Sequence, residues 1–87
     1  MDYLHADDYL HAGDAAVVTL DRQANVLLLD NINYSAYRRG DSYHYYGGLA
    51  KQSPCRVVAP HTGHWHVVVD LGGYGGNLRA GIAFSKN

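Results

Sequence analysis

Three imidazoles fall within six residues, at His61, His64 and His66. On a strand, His64 and His66 are two apart and project to the same side, with Asp70 farther along that side. Neutral imidazole ligates zinc, copper or nickel, and His61 or Asp70 would supply a third donor. No cysteine pair and no second histidine cluster accompanies the group. Histidine is also ordinary on the exposed face of a strand. A solvated surface is therefore the favoured reading, and no resident metal or cofactor is expected.

A second group joins rings to positive charge. Tyr34-Ser35-Ala36-Tyr37-Arg38-Arg39 is followed shortly by Tyr43, His44, Tyr45 and Tyr46. Arginine offers a planar fork for phosphate or carboxylate, and tyrosine a stacking face with a hydroxyl. Such interleaving holds nucleotides and single strands on β scaffolds. The plainer alternative is that some tyrosines fill a small core while the arginines pair with Asp30 or Asp41. A glycine-dense segment, Gly72 to Asn77, suits a hairpin loop with Tyr74 at its tip. It lacks the spacing of a dinucleotide fingerprint. The expected ligand contacts are Tyr37, Arg38, Arg39, Tyr43, Tyr45 and Tyr74. No catalytic set is expected: Cys55 follows Pro54 at the start of a strand and reads as a buried structural thiol.

The elements that must carry these residues are strands. Trp65, Val67, Val69 and Leu71 alternate with His64, His66, Val68 and Asp70, the period of a strand with one buried face. An apolar run, Cys55 to Ala59, precedes it, and a second alternating run, Leu78, Ala80, Ile82 and Phe84, follows. Three successive antiparallel strands are the simplest arrangement. Upstream, the pattern predicts an edge strand over 1–6, a connection through Tyr9 and Leu10, a strand over 15–20 and a strand over 25–30. Val26 to Leu29 are apolar on both faces, so that strand should be central. Asn31 is placed to cap a single helical turn carrying Ile32, Tyr34 and Tyr37. Ser42 to Tyr46 reads as a strand ended by Gly47-Gly48, with Leu49 to Pro54 a surface connection.

The composition agrees. All 8 acidic residues are aspartate, beside 10 glycines and 8 tyrosines. That mix favours turns and strands over helices. The 87 residues make one domain, 1–87, expected to be an all-β antiparallel sandwich of about seven short strands. Its expected core is Val18, Leu28, Trp65, Val67, Val69, Ile82 and Phe84. Net charge is −1, which argues against a duplex nucleic-acid arm or a polybasic membrane patch. One cysteine cannot form an internal disulfide, and no apolar run approaches the ~20 residues of a membrane helix. A cytoplasmic protein is the expectation. Asp-Tyr-Leu-His-Ala occurs at 2–6 and again at 8–12, too short a unit for a solenoid.

Five stretches together resemble a known family. They are Leu-His near the start, Ala-Asn-Val-Leu-Leu-Leu-Asp at 24–30, Tyr-Arg-Arg-Gly at 37–40, Tyr-Tyr-Gly-Gly at 45–48, and Pro-His-Thr-Gly-His-Trp-His-Val-Val-Val-Asp-Leu-Gly-Gly at 60–73. With them the chain resembles the bacterial domain of unknown function 1883. The resemblance spans nearly the whole chain and implies a small all-β domain, found alone or fused to TIR domains. That association implies signalling or defence by analogy only. It carries no catalytic residue. The expected function is a non-enzymatic binding module for a small anionic, nucleotide-like ligand or a protein partner, and a homo-oligomer covering open sheet edges stays open. The competing reading is a metal-dependent or hydrolytic enzyme using a face of His61, His64, His66 and Asp70.

Overall fold

The computed structural model describes residues 3–72 and 76–87. Seven strands and one helix follow one another as β1 (Leu4–Leu10), β2 (Ala15–Leu20), β3 (Ala24–Leu29), α1 (Asn31–Arg39), β4 (Tyr46–Ala50), β5 (Cys55–Val58), β6 (Gly63–Asp70) and β7 (Ala80–Ser85). They form two antiparallel sheets, one ordered β1-β6-β3-β4 and the other β5-β2-β7. The fold is an all-β, sandwich-like one, as composition and alternation predict.

Side-chain alternation divides the interior in two. The inner face of the four-stranded sheet brings Leu10, Val26, Leu28, Trp65, Val67 and Val69 against Val18 and Val57 of the three-stranded sheet. Ile82 and Phe84 pack on this core but stay partly exposed, because β7 is an edge strand. On the outer face of the larger sheet, Leu27, Leu29 and Val68 are covered by α1 through Tyr37, with Tyr3, Tyr34 and Tyr43 around them. That second layer explains why β3 is apolar on both faces and lies between two neighbours. A buried acid closes the sandwich at one end: Asp14 accepts from the backbone N–H of Asn87 at 2.9 Å and of His11 at 2.8 Å.

Four expectations need correction. The strands at 55–58, 63–70 and 80–85 are not a meander, since β5 and β7 both flank β2 while β6 sits between β1 and β3. Alternation does not choose partners; Val68, the one apolar residue on the otherwise polar face of β6, is buried with Leu27, Leu29 and Tyr37 under α1, as suits a strand inside that sheet. The first strand runs on through Tyr9 and Leu10. The expected single helical turn is a nine-residue helix, and its N-cap is Asp30 rather than Asn31: the Asp30 side chain accepts from Asn33 N at 2.9 Å. Gly40 ends it at φ 81°, with Arg38 and Arg39 in the last turn, where cations suit the helix dipole.

The fourth correction concerns Ser42 to Tyr46. The strand starts at Tyr46 and runs through the glycines that were expected to end it. Gly47 lies opposite Leu27 at φ 104°, and a Cβ there would stand 2.3 Å from the Val26 carbonyl oxygen. Only glycine lets β4 approach β3 so closely, so glycine here marks a close approach inside a strand. The expected display of Tyr74 at a loop tip lies outside the described residues.

Candidate functional site

Two assemblies of polar and aromatic side chains flank helix α1 on the outer face of the larger sheet. The first is an open cavity of about 920 Å³ where β6 ends and β1 begins. Tyr3, Tyr37, Tyr43 and Tyr45 line it, with Leu27, Leu49 and Leu71 supplying apolar wall. The rings form a chain: Tyr3 meets Tyr37 edge-on at 5.2 Å, Tyr37 meets Tyr43 edge-on at 5.3 Å, and Tyr43 lies 5.7 Å from Tyr45. Each ring is thus braced by its neighbour. Tyr37 comes from the buried side of α1, and Tyr43 and Tyr45 from the segment between the helix and β4.

Asp70 is the one charged side chain among the described residues of this lining. It is buried, and three donors hold it: the Tyr37 hydroxyl at 2.8 Å, Asn25 Nδ2 at 3.0 Å and the Gly72 N–H at 2.8 Å. Register accounts for the meeting, because Asn25 stands opposite Asp70 on β3 and β6. Burial and then the bond to Asp70 push the Tyr37 hydroxyl well above the ordinary phenol range, so it stays protonated and donates. Burial likewise raises Tyr43.

The second assembly is a stack of rings on β1, β6 and α1. His64 lies 5.0 Å from His66, His66 lies 5.2 Å from His5, and Tyr34 stacks on both His5 and His66 at 4.4 and 4.3 Å. Hydrogen bonds tie the set together. His64 Nε2 bonds Asp7 Oδ2 at 2.6 Å, His5 Nε2 bonds His66 Nδ1 at 2.9 Å, and His66 Nε2 bonds Asn31 Oδ1 at 2.6 Å. Burial, then the neighbouring His5 and His64, lower the pKa of His66 below that of free imidazole. The hydrogen bond from His64 holds Asp7 below the ordinary carboxylate range. Tyr34 is pushed up to about 12 by burial and by its 3.1 Å hydroxyl contact with Tyr3.

The residues expected to act together are therefore regrouped. Tyr37, Tyr43 and Tyr45 converge on the cavity, but Arg38 and Arg39 stand outside it. Arg38 lies over the Tyr34 ring at 5.9 Å, and Arg39 is paired with Asp41 at 2.9 Å. His64 and His66 share a face as expected. His61 does not join them, packing instead on Trp65 at 4.8 Å while its carbonyl accepts from the indole N–H at 3.0 Å. Asp70 is on the histidine face but belongs to the tyrosine cavity. Asp7, His5, Tyr3 and Asn25 were not expected in either set. For the first three a signal existed: Tyr3, His5, Asp7 and Tyr9 alternate with Leu4, Ala6, Asp8 and Leu10, one polar stripe on one strand. Cys55 is partly buried beside the core, and burial raises its thiol pKa, as suits a structural residue.

The family model described as Domain of unknown function (DUF1883) matches residues 1–87, the whole chain, and the protein belongs to that family. No curated protein and no solved structure matches it. Among the described residues, no helix is long and apolar enough to cross a membrane.

Proposed function

We propose that this member of the DUF1883 family is a binding module whose ligand seat is the tyrosine cavity, and that it holds its ligand without turning it over. The observation that carries this reading is the convergence of four braced tyrosines on one buried carboxylate in an open cavity of about 920 Å³. Concave, largely apolar walls with a few fixed polar groups are what small-molecule sites share. Asp70 is already engaged by three donors, which suits a fixed electrostatic wall better than a proton-transfer group.

The charge of the lining bears on the ligand. Phenol faces and a carboxylate attract a cation or the donor edge of a neutral planar group. They do not favour a phosphate. The nucleotide-like ligand that arginines suggest would instead seat at the end of α1, where Arg38 lies over Tyr34. The ligand we favour for the cavity is accordingly a small organic molecule with an ammonium or amide head on an apolar body.

A thermal-shift series decides between them, using choline, methylated lysine and short amides against adenine and guanine nucleotides. Stabilisation by the first group, removed by Tyr43→Ala and Tyr45→Ala, is the expected result. Stabilisation by nucleotides alone, abolished by Arg38→Gln with Arg39→Gln, would overturn it.

A further inference from the structure

We propose that Asp7, His64 and His66, with His5 beside them, form a binding site for a divalent transition-metal ion on the outer face of the larger sheet. One donor atom from each of Asp7, His64 and His66 lies within 4.8 Å of the other two. His5 lies outside that cluster and bonds it from the side, its Nε2 2.9 Å from His66 Nδ1. Two imidazoles and a carboxylate, with a fourth position left to water, suit zinc, copper or nickel rather than calcium or magnesium.

The scaffold is stiff where it matters. Asp7 stands opposite His66 in the antiparallel ladder of β1 and β6, and His5 and His64 are the next residues on the same face of their strands. Stacking on Tyr34 holds the His5 and His66 rings parallel. Asn31, the first residue of α1, accepts from His66 Nε2 and so leaves the lone pair on Nδ1, facing His5. A ring nitrogen tied to an oxygen acceptor is the usual support of a metal-binding histidine, and the other nitrogen, here accepting from His5, would ligate once that hydrogen bond gives way.

Spacing is compatible. A tetrahedral ion with bonds of 2.0–2.1 Å separates its donors by about 3.4 Å. The His64–Asp7 pair at 2.6 Å is closed by a shared proton. Metal entry would replace that proton and spread the pair by less than about 1 Å, which partly exposed side chains achieve by rotation. His64 and Asp7 are each 44% exposed, so an ion has a route in.

The test is calorimetric titration of untagged protein with zinc and with cobalt, alongside the visible absorption of the cobalt form. One ion per chain and a tetrahedral cobalt spectrum are expected. His64→Ala and Asp7→Asn, exposed positions that leave the core intact, should each weaken binding at least tenfold. Asn31→Ala should weaken it about 10–100-fold as a positioning residue, with the cobalt spectrum broadened. His61→Ala and His11→Ala should leave affinity unchanged. Absence of one-to-one binding would overturn the proposal, and so would full affinity in a thermally normal double variant of His64→Ala and Asp7→Asn.

Discussion

Replacing Tyr37 by phenylalanine probes the hydrogen bond on which helix, sheet and cavity meet. The ring would keep its contacts with Leu27, Leu29 and Val68 and its edge-on neighbours Tyr3 and Tyr43. What goes is the hydroxyl donating to Asp70 at 2.8 Å. A hydrogen bond to a charged acceptor contributes about 1.5–3 kcal/mol. Asp70 would keep Asn25 and the Gly72 N–H, both on Oδ1, and would lose its donor on Oδ2. The lower end applies, about 1.5 kcal/mol, because Asp70 keeps two of its three donors. For a domain of this size that corresponds to a melting-temperature drop of about 6–12 °C. Urea denaturation of Tyr37→Phe, Asp70→Asn and the double variant would measure the coupling between the two groups. Tyr34→Phe is the control, since its hydroxyl meets only a neutral partner, Tyr3, and should cost less. A Tyr37→Phe loss below about 0.5 kcal/mol, or a coupling near zero, would refute the claim that this charged bond anchors α1 to β6.

Four further outcomes can be measured. Trp65→Ala should cost about 3–5 kcal/mol by chemical denaturation, because the ring is buried and its N–H is bonded to the His61 carbonyl. Gly47→Ala should destabilise by well over about 1 kcal/mol, through both its positive φ and the clash with Val26, whereas Gly40→Ala meets no neighbour and should lose less. Arg38→Gln with Arg39→Gln should change stability by no more than about 1 kcal/mol, because both arginines are exposed, and circular dichroism should be unaltered. The acid limb follows from Asp14, whose pKa is lowered first by the Asn87 N–H and then by the His11 N–H. A depressed folded-state pKa means the unfolded chain takes up the proton first. Stability is then fully present above the ordinary value of 3.8 and falls as pH drops below it, a fall that Asp14→Asn should flatten in a pH series of melts.

Alternation made much of the fold legible. Where a strand has one apolar face, as in the Trp65-Val67-Val69 series, period and burial coincide and the inward set follows directly. Val26 to Leu29 were equally plain, since a run apolar on both faces has to lie between neighbours and under a cover. Partner choice was not legible, because alternation states which face is buried but not against which strand. The helix was expected as only a single turn, and the reason its length was underread is local. Asn31, Asn33, Ser35 and three β-branched or aromatic residues make poor helix formers, and α1 is held by Asp30 at its start, Gly40 at its end and Tyr37 beneath, more than by propensity.

The candidate sites were legible only as residue types, and the reason is geometric. A strand places residues two apart on one face, so His64 with His66 could be read directly, as could Tyr3 with His5. Joining the pairs required the register of β1 on β6, where Asp7 falls opposite His66. A shift of one residue would turn Tyr3, His5 and Asp7 toward the core and Leu4, Ala6 and Asp8 toward the helix. The apolar residues of β1 therefore fix the polar ones: burying Leu10 on the inner face compels His5 and Asp7 onto the outer face beside His66. The same logic couples the two sites. His66 bonds Asn31 at the start of α1, and Asp70, four residues on, bonds Tyr37 near its end. One helix thus spans both sites on a single strand, so a ligand that tightens either contact orders the surface the other uses. Metal bound at His66 should raise affinity at the tyrosine cavity in wild type, and that gain should vanish in Asn31→Ala while cavity binding without metal persists. Equal cavity affinity with and without metal would show the two sites to be independent.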